Sequence, residues 1–224
     1  MTRLQAVLWD MDGTLLDSEK LWDVAVRELA AELGHEMNDD MRRALIGASG
    51  PNALRIMFTG LGLDPTPDAL REAGHWIEQR VIEMFRDPIP WRPGARETLA
   101  ALLAADLPMA LVTNTKRSLT EYGLDTLGRE HFRATVCADE VGQGKPAPDL
   151  YLRAAELLGV DPEHTVAIED SPTGAMSAEA AGCTVLVVPC EIEVPAAPGR
   201  NFRESLVGVT HTDLHELVLA RHGR

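Results

Sequence analysis

Two acidic residues, Asp10 and Asp12, stand two positions apart directly after the apolar run Ala6–Trp9. An apolar run of this kind predicts a buried strand, so both carboxylates are expected where that strand ends in a loop. A carboxylate is ionised at neutral pH and can attack phosphorus without a base, provided that nearby cations offset the repulsion from the phosphate. A second carboxylate two residues on can move protons. The pair therefore predicts a phosphoryl-transfer site.

Three further polar groups follow in chain order, each after its own apolar run. Thr113 and Asn114 come after Met109–Val112, the segment Gly144–Asp149 carries Lys145, and Glu169 with Asp170 follows Val166–Ile168. Lys145 is one of only three lysines in the chain, which makes its place in a rigid Gly-Lys-Pro-Ala-Pro-Asp segment more informative. We expect these groups to meet at one edge of a sheet, because the carboxyl ends of parallel strands lie together.

Short aliphatic runs that alternate with helical patterns predict a doubly wound α/β fold with a parallel sheet. The predicted strands are Ala6–Trp9, Met109–Thr113, Thr135–Cys137, Thr165–Ile168 and Cys183–Val188, with a last short strand at Val207–Val209. Predicted helices start near Pro93, Pro148 and Pro172, since proline is favoured in a first helical turn.

The stretch 18–88 shows helical periods only, and it is far too long for an ordinary crossover connection. We interpret it as an inserted α-helical cap domain, with residues 1–17 and 89–224 forming the core domain. The segments at 15–17 and 87–90 would then be the two hinges that let the cap close over the site.

The four groups, in this order, resemble the haloacid dehalogenase-like (HAD) superfamily of aspartate-nucleophile phosphatases, from about Leu4 to Pro189. Within it the chain is most similar to the β-phosphoglucomutase/phosphoglycolate phosphatase-like subgroup, whose members carry a helical cap on a Rossmann-like core. The resemblance implies an Mg²⁺-dependent phosphatase that hydrolyses a small phosphorylated metabolite, of the sugar phosphate or phosphoglycolate type, through an aspartyl-phosphate intermediate.

The roles of the residues follow from the chemistry and the resemblance together. Asp10 is the predicted nucleophile, and Asp12 the predicted acid and base that protonates the leaving alkoxide and deprotonates water. Lys145 supplies a point charge, and Thr113 a hydroxyl for a phosphoryl oxygen. The predicted substrate-binding residues are Gly13, Thr14, Asn114 and Arg55, and the predicted magnesium residues are Asp10, Asp12 through its backbone carbonyl, Asp170, and Glu169 behind them.

The cap sequence bears on the choice between hydrolase and mutase. Gly47–Asn52 resembles the mutase cap loop whose arginine grips a second phosphate, but that position is Gly50 here, and a mutase histidine falls at Trp22. Both differences favour hydrolysis of a monophosphate. A β-phosphoglucomutase-like phosphotransferase stays open as an alternative, because Arg55 stands on the following helix. Glu19 with Trp22 are further possible substrate contacts.

Two other activities and one other class of protein are less favoured. A dehalogenase would not need Asp12 as an acid, and a phosphonoacetaldehyde hydrolase would need a cap lysine, whereas the cap's only lysine is Lys20 at its start. A non-catalytic HAD-scaffold binding protein would be marked by loss of a catalytic group, and none is lost.

The composition limits partners and location. With 35 acidic and 21 basic side chains the net charge is −14, which disfavours nucleic acid and anionic membranes as partners. Three cysteines without metal-ligand spacing predict neither disulfides nor zinc. The sequence starts without a signal-peptide pattern and holds no membrane-length apolar run, so we expect a cytoplasmic protein, a monomer or weak dimer.

Overall fold

The computed structural model describes residues 3–46, 48 and 50–223, so Gly47 and Ser49 of the predicted cap loop lie outside the described residues. Its centre is a parallel sheet of six strands in the order β3-β2-β1-β4-β5-β6. The strands are β1 Ala6–Trp9, β2 Met109–Thr113, β3 Ala134–Cys137, β4 Thr165–Glu169, β5 Thr184–Val187 and β6 Arg200–Phe202. The predicted doubly wound α/β fold is confirmed.

The four inner strands are buried along their whole length because helices cover both faces of the sheet. Alternate residues of β1 enter different hydrophobic clusters: Val7 and Trp9 point to one side and Leu8 to the other. The covering helices are α5 Ala95–Ala104, α6 Arg117–Leu127, α7 Asp149–Leu158, α8 Pro172–Ala180 and α9 His211–His222. Within the described residues, no helix is both long and apolar enough to span a membrane.

In the part of the chain that the structure describes, four helices lie between β1 and α5, as the helical periods predict. They are α1 Glu19–Glu32, α2 Asp39–Leu45, α3 Gly50–Gly60 and α4 Pro67–Phe85. These cap helices share a hydrophobic cluster that includes Val26, Leu29, Met57 and Phe58. Side chains fix two of the helix starts, since Asn38 caps α2 and Thr66 caps α4. The exact domain boundaries stay a prediction.

The two connections between the cap helices and the sheet run side by side. The amide of Asp17 donates to the carbonyl of Pro90 at 2.8 Å, and the amide of Arg92 donates to Leu15 at 2.9 Å. Leu16 and Trp91 form an isolated antiparallel bridge between them. The chain therefore leaves the core and re-enters it at one place.

The last predicted strand is wrong. Val207–Val209 forms a turn in which Gly208 has a φ of 75°, and the edge strand is Arg200–Phe202 instead. The physical reason is packing against α5: Leu206 donates to Pro93 and accepts from Thr98, and Gly94 leaves room for the backbone of Val207. These contacts hold the segment away from the sheet edge.

Candidate active site

Three neighbouring strands of the sheet, β2, β1 and β4, end at the predicted catalytic residues. Asp10 directly follows β1, and its amide continues the ladder to β4 by donating to the carbonyl of Ile168 at 3.1 Å. Thr113 ends β2, while Glu169 ends β4 and Asp170 follows it. Strand order therefore brings together residues that lie up to 160 positions apart in the sequence.

Lys145 reaches this edge from the loop before α7 and makes three hydrogen bonds. Its Nζ donates to Oδ1 of Asp10 at 2.6 Å, to Oε1 of Glu169 at 2.6 Å and to the carbonyl of Val112 at 2.9 Å. Burial alone would lower the pKa of this ammonium, but the carboxylates of Asp10 and Glu169 outweigh it and raise the pKa. The lysine is thus a fixed positive charge beside the predicted nucleophile.

Asp10 has one engaged oxygen and one unengaged oxygen. Oδ1 accepts from Lys145, whereas buried Oδ2 has no hydrogen-bond partner in the described part of the chain. Burial raises the pKa of Asp10 to about 8; Lys145 opposes the rise, and Glu169 and Asp12 add to it. Such a carboxylate needs further positive charge nearby to stay ionised at neutral pH.

A cluster of three buried carboxylates forms a suitable cation site. Oxygens of Asp10, Glu169 and Asp170 all lie within 4.8 Å of one another. Burial, followed by repulsion from Asp10 and Glu169, raises the pKa of Asp170 well above its ordinary value. Oε2 of Glu169 is also buried without a hydrogen-bond partner among the described atoms. Oxygen-only ligands and surplus negative charge fit a hard divalent cation such as Mg²⁺.

Two glycines let the backbone approach these carboxylates closely. A β-carbon on Gly13, which has a φ of 80°, would overlap Oδ2 of Asp170. A β-carbon on Gly174, in the first turn of α8, would overlap Oε2 of Glu169. Gly13 adopts a positive φ that favours glycine, and its missing side chain makes room for Asp170.

Asp12 accepts hydrogen bonds from four side chains. Ser18 and Trp22 donate to Oδ1 at 2.7 and 3.1 Å, and Thr113 and Thr115 donate to Oδ2 at 3.2 and 2.8 Å. Ser18 and Trp22 belong to the start of the cap, while the two threonines follow β2. Asp12 therefore bonds to the cap and the core at the same time.

Three predicted substrate-binding residues occupy different environments. The Asn114 side chain makes two hydrogen bonds to the backbone of Lys145. Its Oδ1 accepts from the amide at 2.8 Å, and its Nδ2 donates to the carbonyl at 3.3 Å. The buried hydroxyl of Thr14 has no hydrogen-bond partner among the residues that the structure describes. Arg55 is exposed on α3. Their substrate contacts stay predictions.

Sequence analysis does not identify Thr115 or Tyr151 as part of this site. Thr115 stands two residues after Thr113. The alternating Thr-Asn-Thr pattern after a strand is the sequence feature that could have identified Thr115 as part of the site. The Tyr151 hydroxyl donates to Oε1 of Glu169 from the buried face of α7. Its place among apolar positions predicts burial, but no sequence pattern identifies the carboxylate that it meets.

The two cations next to the threonines are held in ion pairs. Lys116 Nζ lies 3.3 Å from a carboxylate oxygen of Glu78 on cap helix α4, and Ser118 donates to the same carboxylate at 2.6 Å. Arg117 donates to Glu140 and to the carbonyl of Thr135, on the β3 side of α6. Lys116 thus connects the cap helix α4 to the core, and Arg117 connects α6 to β3.

Comparisons with known proteins show the family of this chain. The family model for haloacid dehalogenase-like hydrolases matches residues 4–182. The chain is similar to a phosphorylated carbohydrates phosphatase of Thermotoga maritima, with 33% identity over 80% of this chain and 82% of the relative.

Solved structures have a similar fold. A variant of CbbY from Rhodobacter sphaeroides in complex with xylulose-(1,5)bisphosphate has a TM-score of 0.83 and 28% identity, covering 95% of this chain and 99% of its own. β-Phosphoglucomutase from Clostridium difficile has a TM-score of 0.87 at 18% identity, covering 99% and 100%, which shows the shared fold. The predicted class of enzyme, a phosphoric monoester hydrolase, is confirmed, and the chain belongs to the haloacid dehalogenase-like hydrolase family.

Proposed function

We propose that this chain is an Mg²⁺-dependent phosphatase that hydrolyses a small phosphorylated metabolite, of the sugar phosphate or phosphoglycolate type, through an aspartyl-phosphate on Asp10. The observation that carries the proposal is the buried contact between Asp10 and Lys145 beside a second, separately held carboxylate, Asp12. Nucleophile, fixed cation and proton carrier are the three groups that the reaction needs.

In the first half-reaction Oδ2 of Asp10 attacks phosphorus while Lys145 holds Oδ1. The bond from phosphorus to the leaving oxygen breaks as the new bond forms, and the leaving alkoxide takes a proton from Asp12. Four side chains donate hydrogen bonds to the carboxylate of Asp12. Asp12 must therefore give up one or more of these hydrogen bonds when it carries the proton.

In the second half-reaction water attacks phosphorus, the bond from phosphorus to Oδ2 of Asp10 breaks to restore its carboxylate, and the carboxylate of Asp12 takes the proton from water. The arrangement in the structure, with Asp12 fully hydrogen-bonded as an acceptor, suits this base role. Because Ser18 and Trp22 belong to the cap, a shift of the cap changes the donors around Asp12 and hence the position of its carboxylate.

A divalent cation would be held by Asp10, Glu169 and Asp170, with the backbone carbonyl of Asp12 as a predicted further ligand. When bound, it supplies positive charge that offsets the repulsion between a phosphate and these carboxylates. Oε2 of Glu169 is buried without a hydrogen-bond partner among the described groups, which supports a cation at this cluster.

Hydrolysis is favoured over phosphoglucomutase-like transfer. A mutase needs a second cationic grip about one sugar length from the nucleophile. The cap-loop position for that grip is Gly50, and the nearby cations Lys116 and Arg117 pair with Glu78 and Glu140. Phosphoglucomutase-like transfer stays a second candidate, because Arg55 is a further cation on α3, the helix that begins at Gly50.

Phosphate release from a panel of phosphorylated metabolites tests the proposal. We expect Mg²⁺-dependent release by the wild type and none by a folded Asp10→Asn variant, and acid quenching should trap protein-bound phosphate only on the wild type. Substantial turnover by Asp10→Asn would contradict the mechanism. With β-glucose 1-phosphate and catalytic bisphosphate, glucose 6-phosphate forming faster than free phosphate, and lost in Arg55→Ala, would establish the mutase instead.

A further inference from the structure

Tyr151 is a tyrosine of α7 whose hydroxyl the mechanism above does not use. The residue is fully buried, and its hydroxyl donates to Oε1 of Glu169 at 2.5 Å. The ring lies beside the ammonium of Lys145, with Nζ 5.3 Å from the ring centroid. A phenylalanine ring would fill the same space without a polar atom that must be taken out of water. Packing alone therefore does not account for the hydroxyl.

The hydroxyl of Tyr151 and the ammonium of Lys145 hold the same oxygen of Glu169. Nζ of Lys145 also donates to Oε1, at 2.6 Å. Because the two donors come from different residues, turning the carboxylate about its Cγ–Cδ bond breaks both hydrogen bonds. Lys145 alone would be a weaker anchor, since its ammonium divides its three donors among Oε1, Oδ1 of Asp10 and the carbonyl of Val112. The Tyr151 hydroxyl has no competing acceptor among the described residues.

Holding Oε1 also fixes where the second oxygen of Glu169 lies. Oε2 is buried and has no hydrogen-bond partner in the described part of the chain. It occupies the space that a side chain on Gly174 would fill, since a β-carbon there would overlap it. Glu169 is one of the three buried carboxylates whose oxygens lie within 4.8 Å of one another. The orientation of Glu169 therefore determines how well these oxygens converge on one cation.

Resting on the proposed Mg²⁺-dependent function, we infer that Tyr151 is a positioning residue of the cation site. Its hydroxyl holds Glu169 in the orientation in which the carboxylates of Asp10, Glu169 and Asp170 bind one divalent cation. Groups that hydrogen-bond to a metal-binding side chain orient it and set the affinity of the site for the metal. Because no part of Tyr151 is exposed, its hydroxyl acts on the affinity for the metal and not on the affinity for the ester.

Tyr151→Phe removes the hydroxyl alone, and calorimetric titration of the metal-stripped protein with Mg²⁺, without ester, measures the affinity directly. We expect the Kd for Mg²⁺ to rise about tenfold to a hundredfold, the range for a lost partner of a metal ligand. With p-nitrophenyl phosphate, the Mg²⁺ concentration that gives half-maximal phosphate release should rise in parallel, whereas the KM for this ester at saturating Mg²⁺ should not change. An unchanged Kd would overturn the inference.

A double-mutant cycle tests whether Tyr151 acts through Glu169. Glu169→Ala removes both oxygens that the hydroxyl could position, so adding Tyr151→Phe to it should cause no further loss of affinity for Mg²⁺. Losses that simply add would overturn the inference, because they would show that the hydroxyl supports the structure in general and not the orientation of Glu169.

Tyr122→Phe is the matched control, since Tyr122 is the other tyrosine of the chain. It packs against the hydrophobic cluster of the core and has no hydrogen bond among the described residues. Its Kd for Mg²⁺ should equal that of the wild type, and a rise as large as in Tyr151→Phe would overturn the specific role of Tyr151. Absence of Mg²⁺ binding by the wild type would contradict the proposed metal-dependent function and the inference with it. Equal binding by the wild type and Tyr151→Phe would contradict the inference alone.

Discussion

At the scale of single residues, the two aspartates of the site, Asp10 and Asp12, differ in their hydrogen-bond partners. Asp10 shares Lys145 with Glu169 and keeps one oxygen without a hydrogen bond among the described groups, which leaves that oxygen available for attack. Asp12 is surrounded by four hydroxyl or indole donors and faces no lysine or arginine hydrogen bond in the described structure. The first is suited to attack phosphorus and the second to exchange a proton.

Replacing Asp12 by asparagine removes proton transfer but keeps the side-chain shape. We expect kcat for a sugar phosphate to fall by roughly a hundredfold to ten-thousandfold, the usual contribution of general acid-base catalysis. The loss should be smaller for p-nitrophenyl phosphate, because p-nitrophenolate leaves without protonation. Parallel measurements of kcat on both esters check this. Equal losses would argue against the acid role.

At the scale of elements, the start of α1 is where the cap segment contacts the carboxylate of Asp12. Trp22 packs edge-on against Phe85 of α4, with ring centroids 6.3 Å apart, while its indole nitrogen donates to Asp12. Both ends of the cap segment are thereby joined to the site. Two groups at the start of α1 donate to Asp12, the indole N–H of Trp22 and the hydroxyl of Ser18, so the position of these helices determines both hydrogen bonds.

Trp22→Phe keeps the ring packing and removes the N–H donor. We expect kcat/KM for a sugar phosphate to fall about tenfold, since one of four hydrogen bonds to a charged group is lost. Trp76→Phe is the control, because Trp76 belongs to the hydrophobic cluster of the cap helices and has no described contact with Asp12. An unchanged Trp22→Phe enzyme would mean that the indole does not position Asp12.

The sequence predicts the elements better than it predicts contacts between them. Apolar runs identify the inner strands, because those are buried on both faces, and motif order identifies Asp10, Lys145 and Asp170. The burial of Arg42 is not predicted, because only its spacing of three residues from buried Leu45 distinguishes it from exposed Arg43. The Val207–Val209 strand fails since Leu206 bonds to Pro93 and Thr98, residues more than a hundred positions away.

At the scale of the whole molecule, the buried carboxylates link stability to pH and metal. Folding raises the pKa of Asp10 to about 8 and that of Asp170 well above its ordinary value. Between about pH 4 and pH 8 the folded state therefore binds more protons than the unfolded state. Its free energy of unfolding falls as pH rises through that window.

We expect the melting temperature of the metal-free protein to decrease from pH 5 to pH 8, and Mg²⁺ to raise it most at pH 8, where the ligands are ionised. Thermal melts with Mg²⁺ and with a chelator measure both effects. Asp170→Asn, which removes one ligand, should show a smaller magnesium shift. Identical melts with and without Mg²⁺ at pH 8 would speak against a metal site here.

The three cysteines should be slow to react. Burial raises the pKa of Cys137 and Cys183 to about 11 and that of Cys190 to about 12, so almost no thiolate is present at pH 8. We expect a thiol reagent to modify the native protein far more slowly than the urea-unfolded protein, with activity retained meanwhile. Rapid labelling of native protein would show that these thiols are more exposed.

The paired connections at Leu15–Asp17 and Pro90–Arg92 have a consequence for the evolution of the protein. Because the cap helices leave and rejoin the core at one hydrogen-bonded place, a recombination event that exchanges the intervening coding segment alters neither strand order nor the carboxylates at the strand ends. The cap helices and the carboxylates at the strand ends thus belong to separate stretches of the sequence, and a replacement within the first leaves the sheet edge that holds the second as it is.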